Sequence, residues 1–207
     1  MPGTRSLAAR AAARAEAGRT ASLIIPRLYL SNYMVATDED ILHELGITHI
    51  ISVTEYPPEY EDGKYRTLRI ELEDSFRANI LQHLDVTTEF IKSALEENEI
   101  NKVLVHCVMG ISRSATVVCA YLVATTPMIA SEAIEYVIDK RSIVSPNIGF
   151  RSQLETYAVK FYGKGLKTKG NVKARFSETV VDRVRRLKGQ KSAQLAVNDD
   201  VSLESET

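Results

Sequence analysis

The chain has 207 residues, of which 44% are hydrophobic and 26% charged, and its net charge is −1. These values suit a single soluble globular domain with tails, and they exclude a general polyanion binder. Its two cysteines cannot form a zinc site and do not suggest a secreted disulfide framework, and no apolar run is long enough to span a bilayer.

Residues 1–21 are rich in Ala and Arg, with Glu16 as their only acid. Few of these side chains can form a core, so we expect a disordered or weakly helical tail. A mitochondrial presequence is a less favoured interpretation, because the apolar face of this stretch is mostly Ala. A docking segment is a third interpretation, since basic residues precede the apolar pair Leu23 and Ile25.

Strand-like and helix-like apolar patterns alternate through residues 22–163, which we predict to form the folded domain. Strands are predicted at 23–25, 28–30, 49–53, 65–72 and 103–105, and helices at 81–98, 115–124 and 131–141. Another helix is predicted between a capping box at 37–40 and Gly46, and a last one through Phe150 and Phe161. This alternation predicts an α/β fold with a central mixed, largely parallel sheet of about five strands flanked by helices.

Residues 164–207 differ in composition from the predicted domain. The stretch 164–191 contains ten Lys or Arg and only two acids, and its apolar residues recur at helical spacing. We therefore expect a basic, partly helical segment that is a candidate contact for an acidic partner, followed by an acidic disordered tail.

The loop between the predicted strand at 103–105 and the helix at 115–124 has the composition of an anion site. The first amides of a helix lack intrahelical acceptors and carry partial positive charge, so they attract anions. Gly110 permits an unusual backbone turn, and Arg113 offers a planar fork of donors to phosphoryl oxygens. The loop is therefore expected to bind phosphate.

Cys107 lies at the edge of this expected phosphate site. Helix N-termini and cations favour the thiolate form of a cysteine, which is its nucleophilic form. The hydroxyl of Ser114 is expected to reach the sulfur and to stabilise it as a leaving group. The alternative interpretation is that Cys107 is a buried structural thiol and Arg113 a surface charge.

The sequence His106-Cys107, five residues, Arg113-Ser114 resembles the signature of cysteine-dependent protein phosphatases. Its ending is most similar to that of the dual-specificity branch, and stretches 26–30 and 145–147 also resemble this family. The resemblance runs from about 25 to 162. It implies the cysteine-phosphatase fold, activity on phosphotyrosine and phosphoserine or phosphothreonine, and no metal ion or other cofactor.

The resemblance also implies roles for individual residues. Cys107 would form the phosphoenzyme, and Asp74 would serve as general acid and then base, with Glu71, Glu73 and Asp85 as rival carboxylates. His106 would fix the loop and the thiolate by hydrogen bonding, and Asn147 would brace the loop. Phosphate would bind Arg113 and the loop amides of Val108, Met109, Gly110, Ile111, Ser112 and Arg113. Cys119 is expected to be a small core residue.

The substrate is predicted to be a phosphorylated protein, because Val108, Met109 and Ile111 make this loop less basic than in branches that act on lipids or RNA ends. A MAP kinase is one candidate partner. A nonprotein phosphate ester and a phosphoprotein-binding scaffold remain alternatives. A signalling role in the cytoplasm or nucleus is favoured, since an active thiolate suits a reducing compartment.

Overall fold

A computed structural model of the protein describes residues 15, 16 and 18–162. Their centre is a five-stranded sheet. Its strands are β1 (Ser22–Ile25), β2 (Leu28–Ser31), β3 (His49–Val53), β4 (Arg66–Ile70) and β5 (Val103–His106), in the spatial order β1-β2-β5-β3-β4. β1 is antiparallel to β2, and every other neighbouring pair is parallel. The predicted mixed, largely parallel sheet of five strands is confirmed.

Two of the central strands, β3 and β5, are buried along their whole length. This burial explains why their sequences read as continuous apolar runs rather than as alternating patterns. The edge strand β4 is mostly exposed. The carboxyl ends of the parallel strands lie at one edge of the sheet, so the loops that follow these strands share a common region.

Six helices accompany the sheet in the described part of the chain. They are α1 (Tyr33–Ala36), α2 (Glu39–Leu45), α3 (Leu81–Glu97), α4 (Arg113–Thr125), α5 (Ala130–Lys140) and α6 (Ile148–Tyr162). Residues 113–123 of α4 are all buried, because α3, α5 and α6 pack around this helix. A helix that is enclosed on all sides needs no polar face, which accounts for the apolar run at 117–124.

The start of α2 differs from its prediction. Its N-cap is Asp38, whose carboxylate accepts a hydrogen bond from the Ile41 amide at 3.1 Å, so the expected capping box at 37–40 is wrong. The Thr37 hydroxyl instead bonds back to carbonyls of α1, a four-residue helix that the periodicity did not reveal. The predicted end at Gly46 is confirmed, with a positive φ of 67°.

Within residues 15, 16 and 18–162, no helix combines the length and the apolar character that crossing a membrane requires. The basic segment and acidic tail predicted at 164–207 lie outside the described residues. Most of the predicted N-terminal tail also lies outside them.

Candidate active site

Loops from four neighbouring strands converge at the carboxyl edge of the sheet. Asn32 follows β2, Glu55 follows β3, Asp74 follows β4 and Cys107 follows β5. In open α/β sheets this edge is the usual place for a ligand site, because parallel strands deliver their following loops to one crevice. The topology therefore brings together residues that are far apart in the sequence.

The Cys107 side chain is buried, with 1% of its surface exposed, and two donors reach its sulfur. The Gly110 amide donates to Sγ at 3.2 Å and the Ser114 hydroxyl donates at 3.1 Å. Hydrogen bonds from these donors stabilise negative charge on the sulfur more than they stabilise the neutral thiol. Both donors belong to the segment 107–114, hereafter the catalytic loop.

Three carbonyls of the catalytic loop are held from outside it. The Val108 carbonyl accepts from the Tyr33 amide at 3.2 Å, and the Ile111 carbonyl from the Ser145 amide at 2.9 Å. The Gly110 carbonyl accepts from Arg141 Nε at 3.0 Å. These bonds keep carbonyl oxygens out of the anion position, where they would repel a phosphate.

Gly110 has a φ of 66°, which glycine adopts without the steric penalty that other residues incur. A Cβ atom at this position would lie 2.5 Å from the Ser31 carbonyl oxygen and 2.8 Å from Arg141 Nη2. Both the backbone angle and the close neighbours therefore require glycine, and the loop fits tightly against β2 and Arg141.

Arg141 is a further part of the site that the sequence did not reveal. Its side chain is 2% exposed, and Nη1 lies 3.3 Å from both the Thr20 carbonyl and the Ser22 hydroxyl. Burial lowers its pKa to about 10, which the charge of Cys107 partly offsets, so the group is protonated at neutral pH. Arg141 thus links Thr20 and Ser22, which precede and begin β1, to the catalytic loop.

Arg113 is 5% exposed, which contradicts the alternative that it is a surface charge. Its Nη1 donates to the Leu72 carbonyl at 2.9 Å and lies 3.5 Å from a Glu55 carboxylate oxygen. Its Nε has no hydrogen-bond partner in the described part of the structure and lies 3.9 Å from Asp74 Oδ2. One side of the guanidinium is therefore anchored while Nε is available to an anion. No sequence pattern indicates Glu55 in this position.

Asp74 lies over the catalytic loop and is held by two donors. Its Oδ1 accepts from the Ser112 hydroxyl at 2.7 Å and from Asn147 Nδ2 at 2.8 Å. The backbone N–H of Asn147 donates in turn to the Ser112 hydroxyl oxygen at 3.1 Å. The side chain of Asp74 is 36% exposed, so it faces both the loop and solvent.

The rival carboxylates lie elsewhere. Glu71 and Glu73 are exposed, and Asp85 pairs with Lys160 of α6 at 2.7 Å. Asp74 is the carboxylate among these four that the structure bonds to the catalytic loop. Cys119 lies in the core, where burial raises its pKa to about 12, so its thiol stays protonated at neutral pH.

His106 ends β5 and is fully buried. Its Nε2 lies 2.8 Å from the Ser52 hydroxyl and 3.5 Å from the Tyr60 hydroxyl. Burial lowers its pKa to about 4. The ring is therefore neutral at pH 7 and connects the end of β5 to β3.

This burial predicts a pH-dependent stability. Below pH 6.5 the unfolded chain protonates His106 while the folded protein does not, until the pH approaches about 4. As the pH is lowered from 6.5 towards 4, the free energy of unfolding should fall by about 1.4 kcal/mol per pH unit because of this one group. Urea unfolding at pH 7 and at pH 5 measures this difference in the free energy of unfolding. His106→Gln should flatten the dependence, and a variant of exposed His43 should not; an unchanged slope in His106→Gln would contradict the prediction.

Comparison with known proteins places this geometry in a family. Residues 28–160 match the model of the dual specificity phosphatase catalytic domain. Human dual specificity protein phosphatase 1 is 41% identical over 131 residues, which cover 63% of this chain and 35% of that protein. Mouse dual specificity protein phosphatase 15 is 37% identical over 162 residues, which cover 78% of this chain and 66% of that protein.

Solved structures agree with this assignment. The human tyrosine phosphatase-like serine/threonine/tyrosine-interacting protein has a TM-score of 0.66 and 34% identity, covering 70% of this chain and 99% of that one. The DUSP15 crystal structure has a TM-score of 0.62 and 31% identity, and the match covers 72% of this chain and 98% of that one. The chain spans about a third of the length of the first curated relatives, 35% for the human phosphatase 1. The match covers most of this chain and every residue described above at the site except Thr20 and Ser22. The chain therefore belongs to the dual specificity phosphatase family.

Proposed function

We propose that this protein hydrolyses phosphotyrosine and phosphoserine or phosphothreonine in protein substrates, through a phosphoenzyme on Cys107. The observation that carries the proposal is the meeting of three groups: a sulfur with two donors, the available Nε of Arg113, and the carboxyl group of Asp74. They supply a nucleophile, a phosphate ligand and a proton donor in one crevice.

In the first step the Cys107 sulfur attacks phosphorus, and the bond from phosphorus to the substrate oxygen breaks. Asp74 gives its proton to that oxygen, which leaves as a neutral phenol or alcohol. The phosphoryl oxygens are held by Arg113 and by the loop amides of Val108, Met109, Gly110, Ile111, Ser112 and Arg113. These fixed donors supply electrostatic stabilisation where charge develops, so the proposal uses no metal ion.

In the second step a water molecule attacks the phosphorus of the phosphocysteine. Asp74, now ionised, takes a proton from this water, and the bond from phosphorus to sulfur breaks to release orthophosphate. The sulfur leaves as a thiolate, which the Ser114 hydroxyl stabilises from 3.1 Å. The enzyme returns to its starting state with Asp74 protonated.

The test is phosphate release from a peptide phosphorylated on both Thr and Tyr, with mass spectrometry to identify each product. We expect the protein to remove both phosphates. Arg113→Ala should lower the rate by about 10²–10³-fold, as expected for the loss of one charge-stabilising group in a buried site. Release from Tyr alone would overturn dual specificity, and an unchanged rate in Arg113→Ala would contradict the assignment of that residue.

A phosphoprotein-binding scaffold is the competing function. The name of one structural neighbour describes it as a tyrosine phosphatase-like interacting protein, and its fold covers 70% of this chain. Stable capture of the phosphopeptide by the wild-type protein, with neither phosphate released, would favour this scaffold and would overturn the enzymatic proposal. Release from a small phosphate ester alone would favour a nonprotein substrate.

The proposed partners are phosphorylated proteins, with a MAP kinase as one candidate and an acidic partner for the basic segment 164–191, which lies outside the described residues. The cytoplasm and nucleus are the proposed compartments, because the reaction requires Cys107 in its reduced form.

A further inference from the structure

Exposed apolar side chains concentrate around the catalytic loop. Ten large apolar residues are exposed in the described part of the chain, and five of them lie in the catalytic loop or within two residues of Glu55, Asp74 or Asn147. We name these five the apolar rim: Tyr56, Phe76, Val108, Met109 and Ile148. Tyr56 and Ile148 are among the most exposed, at 82% and 79%.

Each rim residue is joined by the backbone to a group in the site. Val108 and Met109 directly follow Cys107 in the catalytic loop. Tyr56 follows Glu55, whose carboxylate lies 3.5 Å from Arg113. Phe76 lies two residues after Asp74, and Ile148 follows Asn147, which bonds to Asp74. A substrate chain that places its phosphate beside Cys107 would therefore lie close to the segments that carry these side chains.

Two of the rim residues have backbones that are fixed in place. Gly149 packs directly against the backbone of Phe76, in the space where any other residue would carry its Cβ atom. The Asn147 side chain accepts from the Phe150 amide at 2.9 Å, which fixes the turn that carries Ile148. The Arg77 guanidinium lies 5.2 Å from the ring of Phe76. A surface that is already ordered binds with a smaller entropic cost.

Exposed apolar side chains that occur singly are normal, whereas a concentration of them around a crevice marks a binding surface. Charges of both signs lie beside this rim, since Glu55 pairs with Arg113 and Arg77 lies over the ring of Phe76, so charge does not favour an acidic peptide there. Apolar side chains on either side of the phosphorylated residue would gain by burial against the rim.

We propose that the apolar rim binds large apolar side chains that flank the phosphorylated residue, and that the protein thereby selects phosphosites in apolar sequence. This inference rests on the proposed function, because it assigns a substrate preference to the same catalytic loop. It goes further by naming which phosphoproteins the site favours.

The test compares three phosphotyrosine peptides that differ only in the two residues on each side of the phosphotyrosine. One carries Leu and Ile there, one Ser and Gln, and one Glu; p-nitrophenyl phosphate serves as a substrate without flanks. Half-burial of one large apolar side chain against the rim should raise kcat/KM by about fivefold. We expect the apolar peptide to exceed both the polar peptide and the acidic peptide by at least this factor.

Variants locate the preference on the rim. Tyr56→Ser and Ile148→Ser should each reduce the ratio of kcat/KM between the apolar and polar peptides by about threefold to fivefold, with p-nitrophenyl phosphate hydrolysis unchanged. Ile100→Ser and Val159→Ser are matched controls, since both residues are exposed and lie away from the catalytic loop. Neither control should alter the ratio.

The outcomes separate this inference from the function on which it rests. Equal kcat/KM for the three peptides, with p-nitrophenyl phosphate still hydrolysed, would overturn the rim proposal and leave the phosphatase activity in place. An equal loss of preference in Ile100→Ser would also overturn it. No phosphate release from any of the four substrates would overturn both proposals together.

Discussion

Replacing Cys107 with serine is expected to lower phosphate release by about 10⁴-fold or more, the scale of losing a catalytic nucleophile. The serine hydroxyl is far less acidic than a thiol, so the two donors at 3.1 and 3.2 Å cannot supply an ionised nucleophile. Arg113 and the loop backbone are unchanged, so phosphopeptide binding should persist. Initial rates with p-nitrophenyl phosphate measure the loss, and fluorescence titration with a labelled phosphopeptide measures the binding.

Cys119 provides the matched control for this exchange. It is the other cysteine of the chain, it is fully buried on α4, and its raised pKa keeps it a neutral thiol. Cys119→Ala should retain the wild-type kcat within about twofold, while removal of the buried sulfur lowers the free energy of unfolding by about 1 kcal/mol. A comparable loss of turnover in Cys119→Ala would show that disruption of the core, and not loss of a nucleophile, explains the result for Cys107→Ser.

The features that the sequence predicts correctly are those that depend on neighbouring residues. Buried strands such as β3 and β5 read as apolar runs because both of their faces are covered. The catalytic loop is likewise local, since the donors to the Cys107 sulfur lie three and seven residues away. The helix α1 escaped prediction because four residues are too few to show helical periodicity.

The contacts that hold the site together depend on tertiary structure instead. Arg141 bonds to Gly110 across 31 residues, and Asn147 bonds to Asp74 across 73. Predicting such pairs requires the strand order and the paths of the loops, which a single sequence does not provide. Arg141 is the clearest case, because an arginine just after an amphipathic helix is usually a solvated charge, whereas here it is enclosed under the catalytic loop.

Replacing Asp74 with asparagine is expected to lower kcat by about 10²–10⁴-fold for phosphotyrosine and phosphothreonine peptides, the usual contribution of a general acid. The amide oxygen of asparagine can still accept from Ser112 and Asn147, so the geometry over the loop is preserved while the transferable proton is lost. The loss should be far smaller for p-nitrophenyl phosphate, because its weakly basic leaving group departs without protonation. Steady-state kcat and KM for both substrate types measure this difference.

The dependence on the leaving group distinguishes general acid catalysis from a structural effect. A misplaced loop would slow both substrate types equally, so an equal loss in Asp74→Asn would contradict the assigned role. Glu73→Gln is the matched control, because it neutralises an exposed carboxylate one residue away and should retain the wild-type rates. Asn147→Ala removes one of the two donors that hold Asp74, and it should show the same leaving-group dependence to a smaller degree because Ser112 remains at 2.7 Å.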